Sequence, residues 1–132
     1  MAVHNLYFAW CWFFMGLASG TIQGLWFHRE NWLGGYDSWP RRLTRLGHIA
    51  FFGTGLLNLC FAFTVLLLGV EGQLVRWASP LLILGAVSMS TVCYLCAWRK
   101  PLRHLFFIPV VSLLVGVGLM AAALLVSERI PS

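Results

Sequence analysis

Four uninterrupted apolar stretches dominate this chain: Leu6 to Phe27, Leu46 to Val70, Trp77 to Trp98 and Leu105 to Val126, none of which contains Asp, Glu, Lys or Arg. A helix rises 1.5 Å per residue, so about 20 residues cross the hydrocarbon core of a bilayer. Each stretch is long enough. Backbone N–H and C=O groups find no partners in lipid, so a crossing segment satisfies them internally as a helix. The remaining composition fits the same class. Charged residues are 10% of the 132 residues and the mean hydropathy is +0.82, whereas a soluble domain carries roughly 25% charged residues. The expected fold is an all-α integral membrane protein, an antiparallel bundle of four transmembrane helices. It forms one membrane domain over residues 1–132, with helices at about 6–27, 41–70, 77–98 and 104–127.

The breaks between runs carry their own signals. Residues 29–45 hold Gly34-Gly35 and Pro40, Glu71-Gly72 marks a tight turn, and Arg99-Lys100-Pro101 stops the third run. Asp37 or Ser38 suits an N-cap for the second helix, with Pro40 in its first turn. Ser79-Pro80 offers an alternative, later start for the third helix.

Loop charges set the orientation. Arg29, Arg41, Arg42, Arg45, Arg99, Lys100 and Arg103 lie in the first and third loops, against Arg76 and Arg129 on the opposite side, where Glu71 and Glu128 accompany them. Cytoplasmic loops are enriched in Lys and Arg, so both termini are expected outside and the chain in a bacterial inner membrane as a multi-pass protein. Aromatics at the run ends agree: Tyr7, Trp10 and Trp77 outside, with Trp26, Trp32, Trp39, Tyr94 and Trp98 inside. The net charge of +5 sits in these short loops and reads as membrane orientation, not as a nucleic-acid surface. The start, Met1 to Asn5, lacks the positive region of a signal peptide, so the first run is expected to remain.

Gly16, Gly20 and Gly24 are spaced four apart and share one face of the first helix, and Ser112 and Gly116 repeat the device in the fourth. Such stripes predict close helix packing. Ser19 and Gln23 beside the first stripe require hydrogen-bond partners. Asn58 is expected to face the bundle interior, on a face shared with Arg41, Arg45, His48, Phe52, Gly55, Leu59 and Ala62. Cys93-Tyr94-Leu95-Cys96 has the spacing of a redox pair. On the reducing side of a membrane, within an apolar run, packing is the plainer role.

One constellation suggests chemistry. His28, His48 and His104 all fall at the cytoplasmic boundary among the basic residues, while His4 stands alone on the other side. Two of these histidines are potential ligands of a b-type haem, with Arg41, Arg45 or Arg103 pairing its propionates. The same layer suits a quinone head group. The plainer reading is interfacial side chains in contact with lipid phosphate. Depth disfavours haem, because His28 and His104 lie outside the apolar runs.

No nucleophile–base pair, phosphate loop or intramembrane carboxylate is present, so an enzyme or a proton-coupled transporter is not expected. The function expected is that of a small accessory or structural subunit of a larger bacterial energy-transducing membrane complex, respiratory or photosynthetic, in contact with lipid and other membrane subunits. The alternative is an electron-transfer protein that binds haem or quinone at the histidine layer.

Overall fold

The computed structural model describes residues 1–127, so Glu128, Arg129 and Ser132 lie outside the described residues. The described chain is helical throughout and has no strands: α1 (Ala2–Phe27), α2 (Trp39–Leu68), α3 (Gln73–Trp98) and α4 (Phe107–Ser127), with 3₁₀ segments at Trp32–Gly34 and Lys100–Phe106. Three helical segments, Trp39–Leu68, Gln73–Trp98 and Lys100–Ser127, are long and apolar enough to cross a membrane. With its 26 residues α1 is as long as α3. Its His4, Asn5, Gln23 and glycines dilute its apolar character, and it is not one of the three.

Helix ends follow local chemistry. Ser38, in extended conformation, accepts from the Arg41 backbone N–H and is the cap of α2, with Pro40 in the first turn. Gly69, in the left-handed region at φ 63°, ends it. The third helix does not start at Ser79-Pro80. It begins at Gln73, and Pro80 lies inside it, so the Arg76 carbonyl has no proline N–H to accept from. Residues 104–106, expected within the fourth helix, belong to the 3₁₀ segment opened by Pro101.

Each helix packs chiefly on the next in sequence: α1 on α2, α2 on α3, and α3 on α4, with α1 touching α3 only lightly. Gly16 lies against Phe51 and Gly20 against His48, while Gly55 lies against Phe13, so residues ascending α1 meet residues descending α2. On the far side, Gly85 of α3 admits Leu113 of α4, and Gly116 of α4 admits Leu82 and Leu81. The core has two parts. Phe61, Val70, Val75, Ala78, Leu82, Met120 and Ala123 pack at one end, and Leu43, Val92 and Cys96 pack with Trp39, Leu102, Leu105 and Phe106 at the other. The outer faces carry large apolar side chains, among them Tyr7, Trp10, Phe14 and Leu17 on α1 and Leu114, Val115 and Leu125 on α4.

Candidate functional site

The residues of the expected histidine layer differ in their surroundings. His28 and His104 are exposed, as is Arg103. Only His48 enters a helix interface: its ring lies against the Gly20 backbone and edge-on to Phe52 at 5.4 Å, and its Nδ1 is buried with no hydrogen-bond partner among the described residues. No group of three or more His, Cys, Asp or Glu side chains among the described residues is arranged to hold a metal ion.

Arg41 has a different task from the propionate partner expected of it. It is 3% exposed, and its guanidinium donates to the carbonyls of Phe27 (3.0 Å), Glu30 (3.1 Å) and Arg29 (3.4 Å). The C-terminal carbonyls of a helix have no partners of their own, and the planar five-donor fork of arginine suits several at once. The same group lies over the rings of Phe27, Tyr36 and Trp32 at 4.7, 5.5 and 5.6 Å. Arg41 therefore ties the end of α1 and the following loop to the start of α2. Arg45 stacks on Tyr36 at 4.2 Å and reaches its carbonyl at 3.5 Å. Within the loop, Leu33, Gly34 and Gly35 all have positive φ, the left-handed region that glycine enters without steric cost.

The polar side chains that do converge form two clusters between helices. In the first, Asn5 of α1, Asn58 of α2 and Ser79 of α3 are buried together. Asn5 Nδ2 donates to Asn58 Oδ1 (2.8 Å) and to the Ser79 carbonyl (3.3 Å), and Ser79 Oγ donates to Asn5 Oδ1 (2.5 Å). Asn58 Nδ2 donates to the Thr54 and Leu82 carbonyls at 2.9 and 3.2 Å. Both amide groups thus use both N–H bonds, so burial leaves none of these donors unpaired. Sequence reasoning turned Asn58 inward but left Asn5 outside the first run. The signal was the spacing of Ala2, Asn5, Ala9 and Gly16, the buried stripe of α1. Nearby, Trp12 Nε1 donates to Thr54 Oγ1 at 3.0 Å.

In the second cluster, Ser19 and Gln23 of α1 meet Tyr94 of α3, with all three contacts between 2.5 and 2.9 Å. Gly47 makes this possible: a Cβ there would stand 3.1 Å from the Tyr94 ring and 3.2 Å from Cys93 Cβ. Cys93 and Cys96 are fully buried free thiols, Cys93 against Gly47 and Cys96 in the α2–α3 core beside Trp39, whose Nε1 donates to the Cys96 carbonyl at 2.9 Å.

The glycine stripe of α1 divides. Gly16 and Gly20 pack on α2, but Gly24 has nothing within 4 Å of where a side chain would begin. Ser112 and Gly116 both face inward on α4. Of the α2 face expected to point inward, Arg41, Gly55, Asn58 and Ala62 are buried, whereas Arg45, His48, Phe52 and Leu59 sit at its edge, since α2 is covered on one side by α1 and on the other by α3. Compared with protein-family models, with curated proteins and with solved structures, the chain matches none.

Proposed function

We propose that all four helices cross a bacterial inner membrane in antiparallel order. Both termini then lie outside, and the basic segments around Arg41 and Arg103 lie in the cytoplasm. In this reading the protein is a non-enzymatic accessory or structural subunit of a larger energy-transducing assembly, respiratory or photosynthetic. The observation that carries the reading is how the polar side chains of α1 are placed. Asn5, Ser19 and Gln23 all bond to α2 or α3, and large apolar side chains cover its outer face. That distribution suits a helix surrounded by lipid or by other membrane helices. The polar groups inside are used to join helices, and little of the chain stands outside them to form a soluble active site. The choice of an energy-transducing assembly rests on class, since such complexes recruit small helical subunits.

The test is migration in a native gel after extraction in mild detergent. A subunit travels with a particle far above its own 14.8 kDa and in fixed ratio to redox-active partners. Migration as a free protomer overturns the reading. A second reading, haem or quinone binding at the boundary, draws on the unpartnered Nδ1 of His48. It draws chiefly on His48 and Arg45, because Arg41 is engaged with carbonyls and His28, Arg103 and His104 are exposed. A reduced-minus-oxidised absorption spectrum and quinone extraction of the purified protein distinguish the two.

A further inference from the structure

Beside the Ser19–Gln23–Tyr94 cluster a groove of about 290 Å³ opens, with Met15, Ala18, Ile22 and Phe51 as its apolar walls. The hydrogen bonds of the cluster do not use all of its protons. Ser19 Oγ and the Tyr94 hydroxyl stand 2.5 Å apart and share a single bond that either one donates. Gln23 Nε2 donates to both oxygens, at 2.9 Å each. If Tyr94 donates to Ser19, the Ser19 proton has no acceptor in the cluster. If Ser19 donates, the Tyr94 proton has none. Turning the Gln23 amide over, so that its oxygen takes the remaining hydroxyl proton, leaves its NH₂ pointing away instead. Every arrangement leaves at least one donor over, and among the described residues nothing further accepts it.

An unpaired donor in hydrocarbon is costly, and the shortage here is of an acceptor. Gln23 lies four residues before the end of α1 at Phe27, and Tyr94 four before the end of α3 at Trp98, a depth of about 6 Å from the helix ends at 1.5 Å per residue. We propose that this cleft binds the carbonyl group of a lipid-soluble molecule, either a quinone ring or the acyl ester of a phospholipid. The cluster donates to the carbonyl oxygen, and Met15, Ile22 and Phe51 pack the apolar body. The inference rests on the transmembrane placement proposed above and is separate from the histidine layer.

Infrared spectroscopy of the full chain in nanodiscs tests it in two arms. One uses diester phospholipid labelled with ¹³C at the ester carbonyls. The other uses ether-linked phospholipid, which has no ester carbonyl, with decylubiquinone labelled at its ring carbonyls. A carbonyl that accepts a hydrogen bond absorbs at lower wavenumber, so the expected result is a shifted band from at least one label, and the label that shifts names the source. Two variants should abolish it: Ala18→Phe, which fills the groove and keeps the cluster, and the triple change Ser19→Ala, Gln23→Leu and Tyr94→Phe, which keeps the groove and removes the donors. Absence of a shifted band in both arms, or a band unchanged in both variants, overturns the proposal. Amide dichroism of the same oriented samples reports independently whether the helices cross the bilayer.

Discussion

At the scale of single residues, the polar side chains of this protein act as fasteners between helices. Asn5 and Asn58 each use both amide protons, so removing either one leaves the other with a buried, unpaired group. Asn58→Leu and Asn5→Leu should each destabilise the fold by about 1–2 kcal/mol, with a coupling of about 1 kcal/mol between them. Unfolding equilibria in bicelles, arranged as a double-mutant cycle, measure both quantities, and strictly additive effects would show that the amides do not act together. The inward turn of Asn58 was legible in the sequence because an amide inside a long apolar run has few other options. Asn5 was not, since it lies before that run, and only the packing of α1 against α2 and α3 covers it. The role of Arg41 was likewise hidden. Its charge marked a loop, but its acceptors lie 11 to 14 residues earlier in the chain, brought within reach only by the turn at Leu33–Gly35.

At the scale of elements, the α1–α2 seam depends on glycines used unequally. A methyl group at Gly20 would stand 2.5 Å from His48 Cε1, whereas at Gly24 it would meet nothing within 4 Å. Gly20→Ala should therefore force the imidazole or the helices apart and cost about 1–3 kcal/mol. Gly24→Ala should be neutral or stabilise by up to about 1 kcal/mol, through helix propensity alone. Thermal melts in detergent compare the two variants, and equal midpoints would mean that the seam is looser than the structure describes. The four-residue spacing made all three glycines look alike. Which of them pack depends on how α1 is rotated and tilted against α2. Helix starts were uneven in the same way. The Ser38 cap and Pro40 were readable as local chemistry, but Pro80 was ambiguous, because a proline fits both a first turn and an interior whose lost bond the surroundings tolerate.

At the scale of the whole molecule, orientation is open to direct measurement. The basic residues cluster in the first and third connections, so with the native cysteines replaced by alanine, His4→Cys should react with an impermeant maleimide in intact cells. Asp37→Cys should react only after permeabilisation; both positions are exposed. Labelling of Asp37→Cys in intact cells would reverse the proposed topology. The sequence by itself determined the helical class and the positions of its apolar segments, because run length and the absence of charge act locally and need no knowledge of neighbours. Only the tertiary structure decided which side chains meet. It placed Tyr94 against Ser19 and Gln23, seated Arg41 on the end of α1, and left His28 and His104 exposed while His48 entered a helix interface. Such pairings follow from how each helix is rotated and tilted against the next. Those angles are set by packing over the whole interface and not by the residue types at any one position.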